Sequence, residues 1–149
     1  MTKPAPVKTL LDLSKMRLDE ATRELGTLIS GEQVAAERLN LLITYRTEYR
    51  ARFVAAAKTG IDRSSWHNYQ TFLDRLDTSI AQAEEAVKQS RQHTLLGQQA
   101  WLGKKGKMRA FDTLVQRHHS REHYAAHHVE QKAQDEFSAY KFFGQKEET

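Results

Sequence analysis

Apolar residues recur along the first part of the chain with the seven-residue spacing that is typical of coiled coils. With position a at residue 11 and position d at residue 14, eleven of fourteen seam positions are apolar. They are Leu11, Leu18, Leu25, Leu39 and Phe53 at a, and Ala21, Leu28, Ala35, Leu42, Tyr49 and Ala56 at d. The exceptions are Ser14, Glu32 and Arg46. One register held over seven heptads predicts a long helix lying on a partner helix.

The pattern is interrupted once, in the segment "KTGIDRSSWHNYQ". Gly60 can end a helix in a left-handed conformation, and Ser64 or Ser65 can cap the helix that follows. The heptads then resume with Trp66, Leu73, Ile80, Val87, Thr94, Trp101, Met108 and Val115 at a, and Tyr69, Leu76, Ala83 and Phe111 at d. A second long helix is therefore predicted.

This second helix has weak d positions at Ser90, Gly97 and Lys104. None of these residues offers a large apolar side chain, and each glycine in a helix interior costs roughly 1 kcal/mol relative to alanine. We expect looser pairing of the helices in this region.

The predicted fold is all-α: a long antiparallel two-helix coiled coil, or helical hairpin, with the second helix overhanging. Residues whose numbers add up to about 120 should lie at the same height, so residues beyond about 117 have no partner within the chain. The boundaries expected for this single coiled-coil domain, 1–149, are helix one at about 7–58, a turn at about 59–64, helix two at about 65–141, and disordered ends.

The composition argues against disulfide-stabilised, thiolate-metal, secreted and membrane-spanning proteins. The chain has no cysteine, which excludes disulfides and thiolate metal sites, and no run of 18 apolar residues. Its first twenty residues lack the apolar core of a signal peptide. We expect a cytoplasmic protein with no direct membrane insertion.

Catalytic motifs are missing from the sequence. There is no glycine-rich phosphate loop, no "HExxH" and no nucleophile with an evident base. Adjacent acidic pairs such as Glu84 and Glu85 diverge by about 100° on a helix and cannot share a site. A two-helix rod also lacks the concave pocket in which catalysis normally occurs. We predict no catalytic residues, no cofactor and no enzymatic activity.

Six of the seven histidines lie between residues 93 and 128. His119, His123 and His127 have the i, i+4 spacing that can place two imidazoles on one metal ion. The alternative is a solvated helix face, since no carboxylate stands at a matching third position and histidines occur on both sides of the helix. No dedicated metal site is predicted, and these three residues are candidates only for adventitious metal binding.

Positive charge is concentrated in residues 91–128, which hold seven lysines and arginines against Asp112 and Glu122. That surplus of five exceeds the net charge of +4 for the whole chain. A basic helix of this kind could follow a phosphate backbone without sequence specificity, bind an acidic protein surface, or simply be solvated.

Four segments in order resemble one family. They are "YRTEYR" at 45–50, "WHNYQTFLDRL" at 66–76, "WLGKKGKMRAFDTLVQR" at 101–117 and "EQKAQDEF" at 130–137. Together they resemble FliJ, the small coiled-coil component of the bacterial flagellar type III export apparatus, over residues 10 to 140. The histidine-rich segment 118–128 matches no family pattern.

The resemblance implies a function in flagellum biogenesis and motility. Members of this family are antiparallel two-helix coiled coils similar to the central stalk of rotary ATP synthases. They promote assembly of the export ATPase ring, contact the transmembrane export-gate protein FlhA and bind export chaperones. The chain would then be a stalk and adaptor, located in the cytoplasm and peripherally associated with the inner membrane at the flagellar base. The alternative is a generic basic coiled-coil linker that binds nucleic acid or an acidic scaffold protein; the favoured function involves no nucleic acid.

Tyr45 and Phe72 both occupy g positions beside the seam and should lie at nearly the same height. They either cover the core or form an exposed aromatic patch that anchors a partner. The resemblance assigns the gate contact to Leu42, Tyr45, Tyr49, Phe72 and Leu76. Of these five, Leu42, Tyr49 and Leu76 also fall on the predicted seam.

The predicted overhang carries an apolar stripe that the chain itself cannot cover. By the stalk analogy, the end of helix two and the start of helix one lie inside the ATPase ring. The candidate ATPase contacts are Arg117, Arg121, Val129, Phe137 and Tyr140, with Ala133 completing the stripe.

Overall fold

The computed structural model describes residues 4–147, and the side chains of residues 6–146. Two helices account for nearly all of them: α1, Pro4–Thr59, and α2, Arg63–Glu147. α1 therefore begins before the predicted start near residue 7, and α2 continues past the predicted end near residue 141. The remaining residues of the predicted disordered ends, 1–3 and 148–149, lie outside the described part of the chain.

The two helices pack against each other as an antiparallel hairpin, which confirms the predicted coiled-coil fold. Every predicted a and d position of α1 from Leu11 to Ala56 is buried or half-buried. The same holds for α2 from Leu73 to His118. Nearly all other positions in these stretches are exposed, because two helices alone can cover only the narrow stripe along which they meet.

The chain divides into two units. One is Asp19–Gly103, in which the buried positions are Ala21, Leu76, Ala83, Val87 and Thr94. The other consists of Met1–Leu18 and Lys104–Thr149, and Leu11 and Ser14 are its buried positions among the described residues. No large side chain of the described residues is completely buried, as expected for a two-helix seam with little interior.

The turn between the helices ends α1 at a glycine, as predicted. Gly60 has a φ of 91°, a conformation that side chains disfavour, and its N–H donates to the carbonyl of Ala57 at 3.3 Å. Without a side chain, this residue can reverse the chain direction at low cost.

The residue that caps α2 is Asp62, so the prediction of Ser64 or Ser65 is wrong. The carboxylate of Asp62 accepts a hydrogen bond from the N–H of Ser65 at 3.0 Å, and its carbonyl accepts one from Trp66 at 3.0 Å. An acidic side chain is favoured there because the helix N-terminus carries partial positive charge. Hydrogen bonds from the Ser65 side chain and N–H lower the pKa of Asp62 below its ordinary value.

The prediction that Trp66, the first a position of α2, lies in the seam is also wrong. Trp66 is 48% exposed, because α1 ends at Thr59 and offers little partner surface to the first turn of α2. Packing begins at the next seam position, where Tyr69 lies with its ring centroid 5.1 Å from that of Phe53.

The charged exceptions to the heptad pattern of α1 have partners on α2. Arg46 forms an ion pair with Asp77, and the Arg91 Nε lies 3.7 Å from a carboxylate oxygen of Glu32. Exposed pairs of this kind typically contribute less than about 1 kcal/mol, so they favour one alignment of the helices more than they stabilise the fold.

The prediction that the helices pair more loosely near the middle of α2 is wrong at Gly97, where they are in close contact. A Cβ atom there would lie 2.6 Å from Cδ1 of Leu28, so the leucine side chain occupies the space above the glycine. One turn earlier, the hydroxyl of the buried Thr94 lies 3.3 Å from the carbonyl of Leu28 and 3.0 Å from that of Ser90. Small side chains on α2 thus bring the helices close together in this region instead of separating them.

Neither helix contains, within the described residues, an apolar stretch long enough to cross a membrane.

Candidate partner-binding surfaces

Five aromatic rings near the turn form one continuous aromatic cluster: Tyr45, Tyr49 and Phe53 from α1, and Tyr69 and Phe72 from α2. Its closest contact joins Tyr49 and Phe72, whose ring centroids are 4.3 Å apart. Tyr49 lies 5.2 Å from Tyr69, and Tyr45 lies 6.4 Å from Tyr49. Aromatic pairs in this distance range each contribute about 0.5–1.5 kcal/mol beyond the burial of their surface.

Tyr45 is the outermost ring of the aromatic cluster. It meets Phe72 edge to face, with centroids 6.1 Å apart, which agrees with the predicted common height of the two g positions. Tyr45 nevertheless remains 45% exposed, while Phe72, which lies beneath it, is half-buried and therefore less accessible. Tyr45 therefore covers part of the seam and at the same time presents aromatic surface to solvent.

The other predicted gate residues lie deeper. Leu76 is buried, at 6% exposure, while Leu42 and Tyr49 are half-buried seam residues. Of the five residues predicted for this contact, Tyr45 is thus the most accessible and Leu76 the least. Leu76 can support a binding surface from below but has little surface of its own to offer.

Burial within the aromatic cluster affects the chemistry of Tyr49. Loss of solvent around its hydroxyl raises the pKa of Tyr49 above its ordinary value, and charge repulsion from Tyr69 and Tyr45 raises it further. This tyrosine stays neutral over the physiological range and acts as a packing residue rather than an acid or base.

Phe53 and Tyr69 were not among the predicted contact residues, although they belong to the aromatic cluster. The sequence contains a signal for one of them, since Tyr45, Tyr49 and Phe53 follow one another at four-residue spacing along one helix face. The heptad pattern alone assigned Phe53 and Tyr69 to the core, where they also contribute.

Comparison with known proteins identifies the family. A sequence model described as "Flagellar FliJ protein" matches residues 3–147 of the chain. The chain belongs to this family. Flagellar FliJ proteins of Escherichia coli (strain K12) and Salmonella typhi are 33% and 34% identical to it, in each case over 138 residues that cover 93% of this chain and 94% of the relative. As a member of the FliJ family, which is not a known enzyme family, the chain is a component of the flagellar export apparatus.

The C-terminal part of this FliJ-family chain is the second surface of interest. Every described residue from His119 to Lys146 is exposed. Four of the five predicted ATPase contacts lie in this range, and the fifth, Arg117, lies just before it and is exposed as well. Val129, Phe137 and Tyr140 fall within about 80° of one another around the helix, and Tyr140 is 79% exposed. These residues form the uncovered apolar stripe that the sequence predicts.

Three further aromatic residues in the C-terminal part of α2 are not among the predicted contacts. Tyr124, Phe142 and Phe143 are all mostly exposed. Lysine ammonium groups lie over one of these rings and over Phe137: Lys146 Nζ is 5.3 Å from the centroid of Phe142, and Lys141 Nζ is 5.7 Å from that of Phe137. The surface therefore combines aromatic and cationic character.

The histidine-rich segment lies on the same exposed helix. His119, His123 and His127 are exposed. His118, which is not one of the three predicted metal-binding candidates, has its Nε2 3.1 Å from a carboxylate oxygen of Glu122. In the part of the chain that the structure describes, no three potential metal ligands lie together.

Proposed function

We propose that the chain acts as a non-enzymatic stalk and adaptor of the flagellar export apparatus. The exposed edge of the aromatic cluster binds the export-gate protein FlhA. The exposed end of α2, together with the start of α1, contacts the export ATPase ring and promotes its assembly. The same protein binds export chaperones, and its contact with the gate holds it at the cytoplasmic face of the inner membrane.

The observation that carries the gate contact is the position of Tyr45 on Phe72. Interfaces concentrate their binding energy in a few aromatic side chains that are rigidly held in the free protein. Tyr45 satisfies this condition because its ring is supported by Phe72 and Tyr49 but remains 45% exposed. A partner can therefore bury a pre-positioned ring with little loss of conformational entropy.

The ATPase contact is supported by the apolar stripe at the end of α2. Val129, Phe137 and Tyr140 are large, exposed and aligned, and exposed apolar surface of this kind marks protein interaction sites. Arg117 and Arg121 precede the stripe on the same helix and add positive charge for orienting an acidic partner.

The experiment that tests the proposal combines the purified chain with purified export ATPase and with the cytoplasmic part of the gate protein. Direct binding to the gate and faster ATP hydrolysis by the ATPase are the expected results. Absence of both would refute the proposal. Capture of nucleic acid that is lost at moderate salt, with neither protein bound, would instead favour the basic-linker function.

A further inference from the structure

A groove runs between the two helices in the unit formed by the start of α1 and the residues from Lys104 onward. Ser14 lies in it, Leu10, Leu13 and Phe111 provide apolar walls, and Arg17, Lys104 and Lys107 supply positive charge. We call it the basic groove. Its volume of about 230 Å³ leaves room for at least one large side chain of another molecule.

The basic groove exists because of a departure from the heptad pattern. Ser14 occupies a d position, where a leucine would fill the seam, and it is 8% exposed. Lys104 stands at a d position of α2, and its flexible, charged end does not fill the space as an apolar side chain would. A small residue and a lysine in one part of the seam leave a depression between Leu13 and Phe111.

The charge of the basic groove is of one sign. Its lining contains three cationic side chains and no carboxylate. None of these three forms an ion pair within residues 6–146. Lys104 is half-buried, so part of its hydration is already lost, and an incoming carboxylate would regain interactions that solvent no longer supplies.

We propose that the basic groove binds an acidic amphipathic helix of a partner protein. An apolar side chain of that helix enters beside Ser14, and carboxylates on either side of it meet Arg17, Lys104 and Lys107. The combination of apolar walls and a cationic rim fits such a helix better than a nucleic acid, whose phosphates would leave Leu10 and Leu13 uncovered. The proposal goes beyond the function assigned above, which places the start of α1 against the ATPase ring but names no ligand for this groove, and it holds whichever protein supplies the helix.

The test measures binding of the purified full-length chain to a fluorescent peptide of about 14 residues, long enough for four helical turns. The peptide carries leucines along one helix face and glutamates on both flanks. A second peptide has the same composition with the leucines distributed around the helix, and a third probe is oligoglutamate. We expect the first peptide to bind at least about tenfold more tightly than either of the others. Equal affinity for all three would overturn the proposal, since charge alone would then explain binding.

Two variants assign the binding to this groove. Ser14→Leu should fill the depression and weaken peptide binding by at least about tenfold while leaving the melting temperature equal or higher, because it adds apolar packing to the seam. Lys104→Glu with Lys107→Glu should abolish binding through charge reversal. The matched control reverses two exposed cations elsewhere on α2, Arg75→Glu with Lys88→Glu.

The control variant should bind the peptide within about threefold of the wild type at moderate salt. Retained binding in Ser14→Leu, or an equal loss in the control variant, would overturn the proposal. Neither gate protein nor ATPase is present in this assay. Failure of peptide binding therefore contradicts only the basic groove, and failure of the gate and ATPase assays contradicts only the proposed function.

Discussion

Tyr45 on α1 rests edge to face on Phe72 of α2, with ring centroids 6.1 Å apart, and the pair spans both helices at one point of the seam. Neither ring is at an a or d position, so neither is required to close the coiled coil. A ring that is supported but not needed for folding is available for binding.

The first prediction concerns this pair. Replacing both Tyr45 and Phe72 by alanine should weaken gate binding by at least about thirtyfold, which corresponds to about 2 kcal/mol for an aromatic anchor. The melting temperature should also fall, because Tyr49 loses its ring contacts with Tyr45 and Phe72, but the a and d residues should keep the variant folded at the temperature of the binding assay. Affinity for the gate protein and thermal melting are measured on the same double variant.

The matched control is Phe53→Ala, which removes a ring of the same aromatic cluster from an a position. It should lower the melting temperature and leave gate binding intact below the transition. If the double variant instead melts far earlier but still binds, Tyr45 serves the core and the assignment of the gate contact is wrong.

The second prediction concerns the exposed end of α2. Removal of residues 118–149 should abolish stimulation of the ATPase and preserve gate binding, because the paired positions of both helices are retained up to Val115. A shorter truncation that removes only residues 142–149 keeps Val129, Phe137 and Tyr140 and should retain most of the stimulation. Undiminished stimulation by the longer truncation would contradict the placement of the ATPase contact.

A third prediction compares two glycines of α2. Gly103→Ala adds a methyl group where nothing lies within 4 Å, so it should raise the free energy of unfolding by about 1 kcal/mol. Gly97→Ala should raise the free energy of unfolding by less, because Leu28 must move away from a Cβ that would lie 2.6 Å from its Cδ1. Chemical denaturation of both variants measures the difference, and equal gains would show that the helices are not in close contact at Gly97.

The fourth prediction concerns the cap of α2 and its dependence on pH. Asp62→Ala should lower the melting temperature at neutral pH, whereas Ser64→Ala should not. The pKa of Asp62 is lowered in the folded state, so its contribution is present above the ordinary value of 3.8 and is lost as pH falls through the lowered pKa. Wild type and Asp62→Ala should therefore converge in melting temperature at acidic pH, and a constant difference at all pH values would argue against the charged cap.

The fifth prediction concerns alkaline pH. The pKa of Tyr49 is raised in the folded state, so the stability of the fold is unaffected below the ordinary value of 10.0 and decreases as pH rises above it. Tyr49→Phe removes the titrating hydroxyl but keeps the ring. The variant should lose less stability than the wild type between neutral pH and about pH 11, measured by denaturant unfolding.

The helical hairpin could be predicted from the sequence because its signals are local. The heptad spacing from Leu11 to Ala56 requires a helix with one buried stripe, and Gly60 supplies a residue able to reverse the chain. The resemblance in four ordered segments led to the family for the same reason, since it depends only on residue order. None of these features requires knowledge of where a distant residue lies.

The details that depend on the alignment of two helices could not be read in this way. Glu32 and Arg46 interrupt the heptad pattern, yet each has an oppositely charged partner on the other helix, Arg91 and Asp77 respectively. Gly97 offers no side chain to the seam, yet Leu28 fills the space above it. The exposure of Tyr45 depends likewise on how far Phe72 covers it.

The sequence by itself determined the two helices, their antiparallel pairing and the family, because the energy of burying a periodic apolar stripe is large and is set by residues close in the chain. The tertiary structure decided which residues remain accessible, including the outer face of Tyr45 and the basic groove beside Ser14. These surfaces arise from distances of a few ångströms between residues far apart in the chain, and no local pattern encodes such distances.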